Sequence, residues 1–154
     1  MAEEGRSRAA GWGWGILLVI ASLIALNGIS WIFFGPDAVV SSTAENIGVS
    51  VTEFEEAYPA AIDAITVNQY QVATYLVAIG AMGLLAALAG YRLRYRWAWH
   101  ITWVLVATPA ALVAGGLAAG YGVGGFLAMM LLLALLALAG QLLAGRQPGH
   151  RRPS

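Results

Sequence analysis

The chain has 154 residues, of which 60% are hydrophobic and 10% charged, and it contains no cysteine. An average soluble domain carries roughly 25% charged residues, so this chain cannot keep the surface of a soluble domain polar and reads as a small integral membrane protein. The missing thiol excludes disulfide frameworks, Cys-ligated zinc, iron–sulfur clusters, covalent haem attachment and palmitoylation.

Four uncharged apolar stretches follow one another at 11–35, 70–90, 97–119 and 123–144. Each is close to the roughly 20 residues that an α-helix needs to cross about 30 Å of hydrocarbon. None contains Asp, Glu, Lys or Arg. A single charge at the centre of a span would cost about 2.5–3.5 kcal/mol on the insertion scale. The stretches do not alternate apolar and polar residues, which excludes barrel strands. The expected fold is all-α: a four-helix transmembrane bundle forming one membrane domain over 1–154, with an acidic, partly helical extracytoplasmic loop at 36–69. Disordered tails are expected at 1–9 and 146–154. The first stretch outruns a signal-peptide h-region by about ten residues and lacks a small-x-small cleavage site, so it reads as a retained span.

The charges orient the chain. The eight basic residues are all arginine, and they fall into three groups: Arg6 and Arg8; Arg92, Arg94 and Arg96; and Arg146, Arg151 and Arg152. Four spans place all three groups on one face, which the positive-inside rule assigns to the cytoplasm. The loop at 36–69 holds Asp37, Glu45, Glu53, Glu55, Glu56 and Asp63 with no basic residue, and falls outside. The expected location is the cell membrane, multi-pass, with both termini cytoplasmic. Trp12 and Trp14, Trp31 with Phe33 and Phe34, Tyr70, Tyr91, and Trp97, Trp99 and Trp103 lie near the ends of the spans, as interfacial aromatics do. The link at 120–122 makes the third and fourth spans antiparallel neighbours.

In the loop, Thr52 followed by Glu55 predicts a capping box, with Glu53, Glu55 and Glu56 complementing the helix dipole. Pro59 disfavours helical geometry at Tyr58 and suits the first position of a new helix, so the second long helix should begin near Pro59. Ile62, Ile65 and Tyr70 would either pack its extension onto the bundle or lie at the membrane interface. The segment 37–50 is expected to be irregular. Three glutamates on one helix start lack the six to eight oxygens of a calcium site.

Polar residues inside the spans are the natural candidates for function. Asn27 and Ser30 in the first span, Thr74 in the second and His100 in the third are the candidate intramembrane polar contacts. Ser22, Thr102, Thr108 and Gln141 complete the set. Asn27 serves either as a substrate or ion contact or as an interhelical hydrogen bond. His100 would need a second histidine on a facing helix to bind haem, and the other histidine is His150 in the polar tail, so no cofactor is expected. Arg92, Arg94 and Arg96 are candidate contacts for anionic lipid headgroups, or simply enforce topology. No glycine-rich phosphate loop, H-E-x-x-H or G-x-S-x-G motif occurs, and no metal site is expected. No carboxylate lies within a span, which argues against a proton-coupled exporter. There is no basic face for nucleic acid.

Small residues recur at helical spacing: Ala107, Ala111, Gly115 and Ala119 in the third span, Gly116, Gly120 and Gly124 through the following turn, and Gly83 with Ala87 and Ala86 with Gly90 in the second. Such rows pack helices within a bundle or between subunits. Thr108-Pro109 predicts a mild kink in the third span.

Arg96-Trp97-Ala98-Trp99 after a basic turn, with Pro109 ten residues on, and the stretch from Thr52 to Pro59 resemble a pattern in small uncharacterised four-span membrane proteins of prokaryotes. The resemblance implies four spans in one domain and carries no activity and no functional residue.

The expected function is that of a non-enzymatic accessory or interaction subunit, with the lipid bilayer and a membrane-protein partner or a homo-oligomer as its contacts. The alternatives are an oligomeric small-molecule or ion transport subunit, with Asn27, Ser30 and Thr74 lining a path between protomers, and a lipid-acting enzyme built on His100 with Arg94 and Arg96.

Overall fold

The computed structural model describes residues 2–93, 95–118 and 125–145, and for 2–8, 91, 92, 96, 125 and 126 the backbone alone. The helices are α1 (Ala2–Ile47), α2 (Val51–Ala57), α3 (Pro59–Leu93), α4 (Arg96–Ile101), α5 (Val104–Ala118) and α6 (Gly125–Ala144). No strand occurs among the described residues. Four segments are long and apolar enough to cross a membrane: Ala9–Ile47, Pro59–Gly90, Trp97–Ala118 and Leu127–Ala144. Their number and order are those of the four apolar stretches, as expected of a multi-pass membrane protein. The chain divides into two compact units, one of Met1–Leu23 with Ile79–Ser154 and one of Ile24–Ala78.

In the first unit, side chains seat directly against glycines of neighbouring helices. A Cβ added at Gly83 would lie 2.5 Å from Leu105 Cδ2 and 3.3 Å from Ala21 Cβ. One added at Gly140 would lie 2.9 Å from Ile16 Cγ2, and one at Gly116 would lie 2.7 Å from Leu127 Cδ2. A side chain at Gly90 would run into the Trp14 ring. In lipid, where apolar side chains gain little from leaving the solvent, this close contact is a main source of helix association. Around it Leu17, Ile20, Ala21, Leu105 and Ala137 are buried. The row Ala107, Ala111 and Gly115 is instead exposed. Ala119, Gly120 and Gly124, and with them the link at 120–122, lie outside the described residues, as does the tail at 146–154.

Helix α1 departs from expectation at both ends. Its backbone is helical from Ala2, where a disordered tail at 1–9 is expected; Glu3 and Glu4 place negative charge in the first turn, where the dipole favours it. It also continues through Pro36 to Ile47, so the segment 37–47 is not irregular. Pro36 cannot donate to the Ile32 carbonyl, a cost of about 3 kcal/mol or more in a helix interior. Tertiary burial offsets it. Val40 and Ala44, one turn apart, form a core with Phe54 of α2, and Ala61, Ile62 and Ile65 of α3 pack against it. The helix then stops at Gly48, whose φ of 77° suits a residue without a Cβ. The Gly48 N–H donates to the Glu45 carbonyl and the Val49 N–H to the Ala44 carbonyl, both at 3.1 Å, which is the Schellman pattern.

The capping box lies two residues earlier than predicted, at Ser50 and Glu53 instead of Thr52 and Glu55. The Glu53 N–H donates to Ser50 Oγ at 3.2 Å, and the Ser50 N–H donates to Glu53 Oε2 at 2.9 Å. Both pairs satisfy the S/T-x-x-E spacing; Ser50, just past the turn at Gly48, has the extended backbone an N-cap needs, with φ −70° and ψ 156°. Tyr58 is non-helical at φ −134° and ψ 54°, and α3 begins at Pro59 as expected. The Tyr58 carbonyl accepts from the Ala61 and Ile62 N–H groups and so starts the new helix.

Candidate functional site

Two places in the structure concentrate polar chemistry, one in each unit. In the Ile24–Ala78 unit the Val40–Ala44–Phe54 core leaves Asp37, Glu45, Glu53, Glu55, Glu56 and Asp63 all exposed. No Lys, Arg or His occurs among residues 24–78. Charge of a single sign within a segment creates a negative field over it. The Glu53 carboxyl is held below its ordinary value, first by the Ser50 N–H and then by the Ser50 hydroxyl, which donates at 2.8 Å. No group of three acidic or histidine side chains able to hold a metal occurs among the described residues.

Along α3 the same unit presents Val67, Tyr70, Gln71, Thr74 and Tyr75 around a shallow cleft of about 330 Å³. These positions follow the three- and four-residue spacing of one helix face. Asp63 stands one turn before Val67 on that face. All six are exposed, Tyr75 to 65%.

The second place is where the third apolar span breaks. The interruption falls at Thr102–Trp103, between α4 and α5, ahead of the kink expected at Thr108-Pro109; Pro109 itself lies buried inside α5. The Trp103 N–H turns to the His100 carbonyl at 3.4 Å, and the Leu105 and Val106 N–H groups also bond three residues back. This tightened turn takes from the Trp99 carbonyl the N–H it would receive in a regular α-helix. Gln141 of α6 supplies the replacement: its Nε2 donates to the Trp99 carbonyl at 2.6 Å. That bond fixes the amide orientation and directs Oε1 to the Thr102 hydroxyl at 2.9 Å. The Trp99 indole N–H donates back to the Gln141 carbonyl at 3.4 Å. Thr102 and Gln141 are both fully buried, at 0% exposure. The Thr102 hydroxyl also lies 3.0 Å from the Ala98 carbonyl and 3.1 Å from that of Trp99, and has one hydrogen to share among three acceptors.

The residues singled out from the sequence sit apart from this node. Asn27 is half-buried and Ser30 exposed on α1; Thr74 is exposed and donates to the Tyr70 carbonyl of its own helix at 2.8 Å. Away from the Val40–Ala44 core, α1 comes closest to α3 at a glycine: a Cβ at Gly28 would lie 2.7 Å from the Val77 nitrogen and 2.8 Å from the Ala73 oxygen. His100 is exposed and edge-on to Trp99, ring centroids 5.1 Å apart. Arg94 and the side chains of Arg92 and Arg96 lie outside the described residues. Thr102 and Gln141 are legible in the sequence as polar residues within spans, but nothing in their spacing pairs them. The signal was their burial partner, a carbonyl freed by a helix break that no Pro or Gly marks. One further polar atom stands alone: Trp14 Nε1 is buried and has no hydrogen-bond partner among the described residues.

No protein-family model, no curated protein and no solved structure matches the chain.

Proposed function

We propose that this protein is a non-enzymatic accessory or interaction subunit of the cell membrane, with both termini cytoplasmic and the acidic segment of the Ile24–Ala78 unit on the extracytoplasmic side. One observation carries the reading: pieces of three helices pack about Val40, Ala44 and Phe54 while six carboxylates stay exposed in a unit that holds no basic residue. A linker that only reconnects two spans needs no core of its own, and self-repulsion among like charges opposes compactness. A packed, single-sign surface is suited to meeting a partner of opposite charge. The orientation is supported by the placement of all eight arginines at the other ends of the spans. The non-enzymatic reading is supported by the lack of any catalytic motif in the sequence.

Native mass spectrometry of the protein extracted gently from its own membrane tests the proposal. A stable second polypeptide supports it. A homo-oligomer retaining a small molecule and no partner overturns it in favour of a transport subunit, in which Asn27, Ser30 and Thr74 would line a path between protomers and Asn27→Leu would abolish flux.

A further inference from the structure

We infer that the α3 face of Asp63, Val67, Tyr70, Gln71, Thr74 and Tyr75 is the docking surface for a transmembrane helix of a second, different polypeptide that carries Lys or Arg at its extracytoplasmic end. The inference rests on the accessory-subunit reading and names its partner's chemistry.

Three observations lead to it. The first is the shape and composition of the face. It is a continuous helical stripe around a shallow cleft of about 330 Å³, and it offers two tyrosines, an amide and a hydroxyl, all exposed. Tyrosine is enriched at the centres of protein interfaces because it combines a large apolar ring with a polar tip. A glutamine amide facing hydrocarbon is costly, whereas against a partner helix it finds a hydrogen bond. The second is register. Asp63, Val67, Tyr70, Gln71 and Thr74 fall within one arc of the helix at three- and four-residue spacing, so the carboxylate closes one end of the same stripe that holds the cleft. A helix laid along the stripe brings one of its own terminal residues to Asp63. The third is charge. The unit has six exposed carboxylates and no basic residue from 24 to 78. A second copy of this chain would bring six more carboxylates to the same place, and like charges set opposite each other oppose association. A partner with a basic outer end gains from the same field. The charge therefore selects a different chain over a homodimer.

The decisive experiment is site-specific photocrosslinking in native membranes, with benzoylphenylalanine introduced at Tyr70, at Tyr75, at Glu55 of the acidic surface and at Leu135 of α6. All four positions are exposed, so the probes leave the buried cores intact. The expected result is an adduct from Tyr70 and Tyr75 whose crosslinked peptide, sequenced by mass spectrometry, lies in a transmembrane segment with Lys or Arg at its outer end. Asp63→Lys should lower that adduct about fivefold or more, and Lys/Arg→Asp in the partner should restore it. Asp37→Lys, on α1, should leave it unchanged. A self-adduct, an adduct with lipid alone, or a yield indifferent to Asp63→Lys overturns the docking surface. Failure at Tyr70 and Tyr75 with a protein adduct at Glu55 or Leu135 overturns the surface while leaving the accessory-subunit reading in place. Absence of a protein adduct at all four positions overturns both.

Discussion

The side-chain amide of Gln141 donates to the Trp99 carbonyl at 2.6 Å, and that carbonyl is the acceptor left without its usual N–H by the turn at Thr102–Trp103. A residue on α6 thus completes the backbone hydrogen bonding of the α4–α5 break. A backbone carbonyl kept from water needs a donor within the protein, so the interruption and the glutamine support each other.

Gln141→Leu should therefore destabilise the protein by about 1–3 kcal/mol, because it takes from the Trp99 carbonyl the amide donor that replaces its backbone N–H. Thr102→Val should cost less, about 0.6–1.7 kcal/mol, since the Trp99 carbonyl keeps its Gln141 donor. The double variant should fall short of the sum, and Leu142→Ala on the exposed side of α6 should be near neutral. Thermal unfolding in detergent, run as a double-mutant cycle, checks all four. Additive losses would show that Thr102 and Gln141 act independently.

Phe54→Ala removes the ring on which Val40 and Ala44 close. The expected loss is about 3 kcal/mol, concentrated in the segment around α2. Protease cleavage should move to the stretch around Gly48 and Tyr58, with the apolar spans still protected. Hydrogen exchange by mass spectrometry would resolve the segment; uniform loss of protection across the chain would show that the core at Phe54 is not a local one.

The capping box gives a pH dependence with a definite sign. The Glu53 carboxyl is held below its ordinary value by the Ser50 N–H and hydroxyl. Its contribution is present above the ordinary carboxylate pKa and disappears as pH falls through the lowered folded value. Protection of the α2 amides, taken relative to their intrinsic exchange rate at each pH, should fall over that acid range. Glu53→Gln, which still offers an acceptor, should flatten the profile, and Glu53→Ala should show fast exchange at every pH.

Gly28→Leu should prevent α1 and α3 from meeting, because the new side chain would collide with the Val77 nitrogen and the Ala73 oxygen, which are backbone atoms and cannot move aside. Gly115→Leu, where open space surrounds the added group, should be tolerated. Yield of folded protein after extraction distinguishes the two; equal yields would show that the α1–α3 approach is not required.

The proposed orientation makes its own prediction. Ser42→Cys, on the exposed side of α1, should label with an impermeant thiol reagent in intact cells, and His100→Cys should not. The native chain adds no background, having no cysteine. The reverse pattern would invert the assignment of faces.

Composition and hydropathy by themselves determined that the chain is helical with four segments able to cross a membrane. Length and the exclusion of charge act on each segment separately and need no neighbour. Local backbone chemistry was equally readable where a single residue enforces it: Pro59 placed the start of α3 and made Tyr58 non-helical. Two features could not be read in that way. The continuation of α1 past Pro36 depends on Val40 and Ala44 finding Phe54 across the turn at Gly48, a contact between two helices whose burial outweighs a local penalty. The break at Thr102–Trp103 has no Pro or Gly to announce it, and is stable because Gln141, far along the chain, supplies the donor that the turn withdraws. Sequence assigned what each residue does to its own backbone; the tertiary structure decided where a local cost could be met by a distant partner.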